Sequence, residues 1–253
     1  MTDTNEILTC AISLGEQLLY CGAEVSRVED SITRICNAYG VDNIDVFAIP
    51  SLVVATASKG SEAPITQTRR VLSPDNNLDR VEKLNSLSRY ICQNKPQADE
   101  IEREIKKITS QKPYGIFMKM LIYFFISSCY CIFFGGHFAD AACAGVIGLI
   151  ILFATDILRK GKANRLVVAI VGGAISGALA VVCTSLGIAG HSEFIIIGNI
   201  MLLIPGVALT NGMRDLMASD TLAGLLRLCE AILIATCIAL GAAVSTNVVG
   251  GLL

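Results

Sequence analysis

The feature that most constrains the fold of this chain is an abrupt change in polarity near residue 113. Residues 1–113 carry 13 Lys/Arg and 16 Asp/Glu, whereas residues 114–253 carry only seven and six. Charged side chains are costly in the hydrocarbon core of a bilayer, so the first part is too polar to span it. We therefore predict a water-soluble domain over residues 1–113 and a transmembrane domain over residues 114–253.

The second part contains five stretches that are long and apolar enough to cross a membrane, for which a helix needs about 20 residues. They cover approximately residues 115–136, 140–158, 166–190, 194–211 and 222–253. The predicted fold class is therefore an α-helical integral membrane protein with five transmembrane helices and an N-terminal cytosolic α+β domain.

The charges of the loops predict the orientation of these helices. Lys and Arg precede the first span, fill the loop between the second and third spans, and flank the loop between the fourth and fifth. The other two loops and the C-terminal end carry none. By the positive-inside rule, the N-terminal domain is cytoplasmic and the C-terminus lies outside.

Hydrophobic periodicity predicts the secondary structure of the soluble part. A first helix stops at Gly22, and a second begins at Ser26, whose spacing to Glu29 is typical of a capping box. Ser73-Pro74-Asp75 opens a third helix, and a fourth covers about residues 97–109. Between the second and third helices, strand-like runs occupy residues 44–49, 52–58 and 65–71. The pattern predicts a mostly antiparallel three-stranded sheet.

The turn between the first two helices is rich in charge. Glu24, Arg27 and Glu29 lie within the segment GAEVSRVED, residues 22–30. The functional hypothesis is that these residues form a cytosolic gate. The alternative is a solvated helix start, since exposed ion pairs contribute little.

The fourth predicted span is interrupted by Pro205-Gly206. Proline removes a backbone hydrogen bond, and unwound backbone persists in a membrane only where protein or a wet cavity satisfies it. We predict a helix break whose freed amides favour a carboxylate, with Asn199, Asn211 and Arg214 as further substrate-binding residues. The alternative is a simple packing kink.

Three acidic residues of the membrane part could carry a coupling proton if they are partly desolvated: Asp215, Asp156 and Glu230. The alternative for Arg214-Asp215 is an interfacial ion pair at a helix end. Glu230 could instead form an i,i+3 pair with Arg227.

Several classes of function lack support. The ten cysteines form no CxxC pair and the two histidines stand near no pair of them, so we expect neither a metal site nor a cofactor. The sequence has no convergent catalytic motif, which argues against an enzyme. A net charge of −2 and the lack of a basic stripe argue against nucleic-acid binding.

The third predicted span contains small residues four apart, Gly173 and Gly177. Such spacing lets two helices approach closely. We favour a packing seam within one subunit over a dimerisation face.

Two segments resemble the threonine/serine exporter family: GAEVSRVEDSITRICNAYG at residues 22–40 and PGVALTNGMRDLMASDTLAG at the start of residues 205–241. The order of a soluble domain followed by five spans also matches. Full-length members fuse two membrane halves, so this chain is similar to the larger subunit of the split form. The resemblance implies a smaller companion membrane subunit, a small carboxylate substrate and the bacterial cytoplasmic (inner) membrane, and it leaves a higher oligomer open.

The resemblance implies a subunit of a secondary-active exporter. Its substrates would be amino acids such as threonine and serine, or C4-dicarboxylates such as succinate. The alternative is a membrane-anchored protein that senses a metabolite and transports nothing. Polar residues and a helix break inside the membrane part favour the exporter, because an anchor does not need them.

Overall fold

The chain is mostly helical, with a small sheet near its N-terminus. The computed structural model describes residues 4–60, 63–72, 76–111 and 114–252. The helices and strands in these ranges are α1 (Thr4–Tyr20), α2 (Val25–Ala38), β1 (Asn43–Ile49), β2 (Leu52–Ser58), β3 (Ile65–Arg70), α3 (Leu78–Asn94), α4 (Ala98–Thr109), α5 (Ile116–Phe133), α6 (Phe138–Lys160), α7 (Arg165–Ser185), α8 (Ser192–Ile200), α9 (Gly206–Met217) and α10 (Thr221–Gly250).

The chain divides into two compact units. The N-terminal unit consists of Met1–Lys112 together with Val207–Cys229, and the helical unit consists of Pro113–Gly206 and Glu230–Leu253. The sequence-based division at residue 113 did not anticipate that α9 and the start of α10 belong to the first unit. Residues 112 and 113 themselves, and the predicted helix start at residues 73–75, lie outside the described residues.

The predicted α+β arrangement of the N-terminal unit is present. The three strands form an antiparallel sheet in the order β1-β2-β3, and β2 buries Val53, Ala55 and Ala57. The apolar face of α1, including Leu14 and Leu18, is fully buried in the same core. Alternation along β2 and helical periodicity along α1 therefore direct their apolar side chains to one interior.

Four helices of the described residues are long and apolar enough to cross a membrane: α5, α6, α7 and α10. The predicted break in the fourth span, residues 194–211, is present, because α8 ends at Ile200 and α9 begins at Gly206. Neither of these two helices is among the four that are long enough to span. Tight turns replace the helix between them, with the Leu203 N–H donating to the Ile200 carbonyl at 2.8 Å. Proline has no N–H to continue an α-helical ladder, which explains why the helix does not resume before Gly206.

Close backbone approaches hold the helical unit together. A Cβ at Gly173 would lie 2.3 Å from the Ile238 carbonyl oxygen, and a Cβ at Gly241 would lie 2.1 Å from the Ile170 carbonyl oxygen. Helices α7 and α10 therefore touch backbone to backbone, and the prediction of a seam within one chain is confirmed. In the same unit, a Cβ at Gly198 of α8 would lie 2.6 Å from the Ser127 carbonyl oxygen of α5.

Candidate functional site

The turn between α1 and α2 exposes backbone carbonyls to neighbouring side chains. Gly22 has a φ of +86°, a conformation that favours glycine, and the Ala23 N–H donates to the Leu18 carbonyl at 3.0 Å. Glu24 then takes an extended backbone and occupies the N-cap position of α2. The sequence Gly-Ala-Glu thus places two carbonyls and a carboxylate at the junction of two helices.

Three side chains from α9 and α10 bind this turn. The Asn211 amide donates to the Gly22 carbonyl at 2.9 Å, and the Arg227 guanidinium donates to the Ala23 carbonyl. Arg214 donates to the Glu24 carboxylate. We name these six residues the turn cluster: Gly22, Ala23, Glu24, Asn211, Arg214 and Arg227. All of them belong to the N-terminal unit.

Two glycines bring α9 and α10 close enough to act on the same turn. A Cβ at Gly224 would lie 2.8 Å from the Gly212 carbonyl oxygen. A Cβ at Gly212 would lie 3.1 Å from Leu228 Cγ. This contact fixes the spacing between Asn211 and Arg214 on α9 and Arg227 on α10.

A buried ion pair lies behind the turn cluster. The Asp215 carboxylate is fully buried, and its Oδ2 lies 3.3 Å from Nε of Arg227, whose side chain is only 9% exposed. Burial raises the pKa of Asp215, and the Arg227 guanidinium opposes this shift. Asp215 therefore helps to position the arginine that donates to Ala23.

Two arginines share the Glu24 carboxylate. The Arg27 guanidinium lies 3.6 Å from Glu24 Oε1, the oxygen that Arg214 also contacts. The structure thus brings together Glu24 and Arg27, predicted as a cytosolic gate, with Asn211 and Arg214, predicted as substrate-binding residues. A solvated helix start does not describe Glu24, whose side chain is 16% exposed.

Glu29, the third predicted gate residue, points elsewhere. Its carboxylate accepts a hydrogen bond from the Ala48 N–H of β1 at 2.8 Å. The predicted capping box is wrong, because α2 begins at Val25 with Glu24 as its cap. Burial raises the pKa of Glu29, and the Ala48 N–H opposes the shift.

The remaining predicted substrate residues lie in the helical unit. Asn199 is fully buried, accepts from the Ser127 hydroxyl at 3.0 Å and donates to the Ile195 carbonyl at 3.0 Å. Pro205 lies between α8 and α9, and Gly206 is the first residue of α9. The predicted set is therefore divided between the two units.

The other two candidates for proton coupling are less buried than Asp215. Glu230 Oε1 lies 3.2 Å from Arg165 NH1, and both side chains are nearly half exposed. Arg227, the alternative partner of Glu230, pairs with Asp215. Asp156 is partly buried on α6.

A depression of about 630 Å³ opens beside Arg214. Its walls are apolar apart from Thr210 and the arginine, and it lies on the exposed side of α9. The lining residues are Leu209, Thr210, Met213, Arg214, Met217 and Ala218. The site thus offers a guanidinium next to an open volume.

Sequence reasoning missed Arg227 and a second cluster. Arg227 could have been found because it is a lone arginine in an apolar stretch. A charge that is buried in such a stretch requires a partner. The second cluster surrounds Asp140 in the helical unit, whose buried carboxylate accepts from the backbone N–H groups of His137, Gly190 and His191 at 3.0, 2.7 and 3.2 Å. The carboxylate of Asp140 therefore joins the α5–α6 turn to the α7–α8 turn.

The turn cluster contains two guanidinium groups, those of Arg214 and Arg227. Guanidinium groups match a carboxylate with planar, charge-assisted hydrogen bonds. Within the part of the chain that the structure describes, no three His, Cys, Asp or Glu residues are grouped as metal ligands.

Comparison with known proteins identifies the family. A family model described as "Putative threonine/serine exporter" (ThrE) matches residues 9–249. No curated protein and no solved structure matches the chain. The matched range includes every residue of the turn cluster. It also covers the four described helices that are long enough to span a membrane, apart from the final residue of α10. The chain therefore belongs to the threonine/serine exporter family.

Proposed function

We propose that this chain is the larger subunit of a secondary-active exporter in the bacterial inner membrane, which works with a smaller membrane subunit. The substrates are small carboxylates, either amino acids such as threonine and serine or C4-dicarboxylates such as succinate. The N-terminal unit faces the cytoplasm, the C-terminus lies outside, and the chain catalyses no covalent reaction. Family membership supports transport, and the turn cluster supports the substrate class.

The observation that carries the proposal is the convergence of Asn211, Arg214 and Arg227 on residues 22–24. Asn211 and Arg227 hold the backbone of the turn, whereas Arg214 is 62% exposed and borders the depression on α9. Arg214 is therefore the residue of this set whose guanidinium is accessible to a soluble carboxylate, although it also contacts Glu24. Its role is to recognise the anionic group as the substrate enters from the cytoplasm.

The helix break supplies a second place for the carboxylate. The first turn of α9 lies at the positive end of the helix dipole, which favours an anion. Asn199 supports this proposal less directly, because both ends of its amide are already hydrogen-bonded.

Asp215 is the preferred residue for proton coupling, ahead of Asp156 and Glu230. It is fully buried, and burial raises its pKa. Protonation would remove its attraction for Arg227, the arginine that holds the Ala23 carbonyl. The protonation state of Asp215 is thus linked to the position of the turn.

The test is efflux of labelled succinate and of labelled threonine from vesicles that contain this chain and its smaller companion. Arg214→Ala should abolish efflux while insertion into the vesicles is unchanged, and Arg214→Lys should restore only part of it, since lysine lacks the planar fork. The matched control is Arg34→Ala, which removes an exposed arginine of α2 that pairs with Asp30. Unchanged efflux by Arg214→Ala would contradict the proposed role.

The same vesicles separate the exporter from the sensor. An exporter moves substrate when both subunits are present, and the flux responds to an imposed pH gradient. A sensor would bind the metabolite without any flux.

A further inference from the structure

Glu24 is held in the way that a bound carboxylate would be held. One of its oxygens, Oε1, contacts the guanidinium groups of both Arg27 and Arg214. The glutamate side chain is 16% exposed, whereas the arginine side chains are 47% and 62% exposed. The anion is therefore the inner partner, and the two cations remain accessible from solvent.

The turn does not depend on this carboxylate for its position. Asn211 donates to the Gly22 carbonyl and Arg227 donates to the Ala23 carbonyl, and both bonds involve the backbone of the turn. The Glu24 side chain makes no capping hydrogen bond to α2. The carboxylate can thus leave the arginines while the turn stays in place.

The surface beside Arg214 is open to a ligand. A shallow depression borders this arginine on the exposed side of α9. Solvent reaches both guanidinium groups and weakens their pairs with Glu24, so a soluble carboxylate can compete with Glu24 for the same guanidinium groups.

We propose that Arg27 and Arg214 form a binding site for a small carboxylate and that Glu24 is an internal surrogate ligand which the incoming carboxylate displaces. One carboxylate replaces another, so the charge balance of the site is unchanged. Displacement releases the side-chain link between α2 and α9 and leaves the backbone links of the turn intact. The choice of ligand rests on the proposed function.

The experiment measures the affinity of the purified full-length chain, in detergent, for labelled succinate and labelled threonine by equilibrium dialysis. Glu24→Gln removes the competing charge with little change in shape, and we expect it to tighten binding by about fivefold, the equivalent of one exposed ion pair. Glu24→Asp is a second variant, because it retains the charge at the start of α2 but withdraws the carboxylate from the arginines. It should also bind more tightly than the unmodified chain.

The controls separate competition from a structural effect. Asp30→Asn releases Arg34 from an exposed ion pair on the same helix and should leave the affinity unchanged. Adding Arg214→Gln to Glu24→Gln should abolish the gain. Equal or weaker binding by both Glu24 variants, with melting temperatures like that of the unmodified chain, would overturn the inference.

The two proposals can fail independently. If efflux depends on Arg214 but the Glu24 variants bind no more tightly, the surrogate role is wrong and the exporter stands. If the Glu24 variants bind more tightly but vesicles with both subunits show no flux, the carboxylate site stands and the exporter is wrong.

Discussion

At the scale of single residues, Arg227 has the most demanding environment in the turn cluster. Its side chain is nine-tenths buried, donates to a backbone carbonyl and lies beside the fully buried Asp215. A buried charge is tolerated when it is paired and hydrogen-bonded, and it becomes strongly destabilising when its partner is removed. The pair thus makes the N-terminal unit sensitive to either residue.

We expect Asp215→Ala to destabilise the N-terminal unit by about 3–5 kcal/mol, because Arg227 would be left buried without a counter-charge. The double variant Asp215→Leu/Arg227→Met should cost less, since it leaves no unpaired charge. Urea unfolding followed by circular dichroism measures both. Lys83→Ala, which removes the exposed Asp79–Lys83 pair, is the control and should cost at most about 1 kcal/mol. If Asp215→Ala lowers the free energy of unfolding no more than Lys83→Ala does, the importance of the buried pair is contradicted.

Glu29 gives the chain a specific pH dependence. Burial raises its pKa above the value of 4.5 that is usual for glutamate, so the folded state keeps a proton that the unfolded state has lost. The contribution of Glu29 to the free energy of unfolding is therefore most favourable below pH 4.5. This contribution is lost as the pH rises through the folded-state pKa.

Glu29→Gln should remove this dependence, because the glutamine oxygen can still accept from the Ala48 N–H. We expect the variant to gain thermal stability relative to the unmodified chain as the pH rises from about 4 to 8, with the change beginning near the reference pKa. Melting curves over that range provide the measurement. Parallel pH profiles for the two proteins would show that Glu29 is not desolvated.

At the scale of secondary-structure elements, the seam between α7 and α10 rests on glycine. Gly173 and Gly241 each face a backbone carbonyl of the other helix at a distance that leaves no room for a side chain. The spacing of glycines on α7 indicated close packing, but it did not indicate the partner. Only the folded chain identifies α10 as that partner.

Gly173→Leu should force the two helices apart and destabilise the helical unit by about 1–3 kcal/mol or more, because backbone atoms cannot move aside as a flexible side chain can. The measurement is thermal unfolding of the purified chain in detergent. Gly250→Leu, at the end of α10 with open space around it, is the matched control and should have little effect. Equal stability of the two variants would contradict the close approach.

The interrupted helix shows which features the local sequence can predict and which it cannot. Pro205 predicted a break, and the structure confirms one between Ile200 and Gly206. The same sequence did not predict that Val207 onwards packs into the N-terminal unit. Polar side chains of α9, such as Asn211 and Arg214, find partners in the α1–α2 turn, about 190 residues earlier in the chain. Periodicity and turn signals cannot predict contacts between residues so far apart in the sequence.

At the scale of the whole molecule, the number of membrane crossings remains open to a direct test. Four described helices are long and apolar enough to span, and the region between α7 and α10 contains only the shorter α8 and α9. An even number of crossings would leave both termini on one side, whereas the loop charges predict an odd number. The topology of the C-terminus therefore decides whether this region crosses.

We expect a periplasmic reporter fused to the C-terminus, such as alkaline phosphatase, to be active, and a cytoplasmic fluorescent reporter at the same position to be dark. The reason is that the positive-inside rule places the basic loops on the cytoplasmic side, as proposed for the N-terminal unit. The same two reporters placed in the basic loop at residues 159–165 provide the control and should give the reverse result. A fluorescent C-terminus would contradict the five-span topology.

The sequence by itself determined most of the secondary structure of the soluble part, the apolar helices and the presence of a break before Gly206. These depend on residues near one another along the chain, through periodicity, turn chemistry and hydropathy. The tertiary structure decided the rest: α9 belongs to the N-terminal unit, Arg227 pairs with Asp215, and Glu24 lies between Arg27 and Arg214. Charged side chains pair with groups that are near them in space. The fold determines which groups are near, and the spacing of residues along the chain does not.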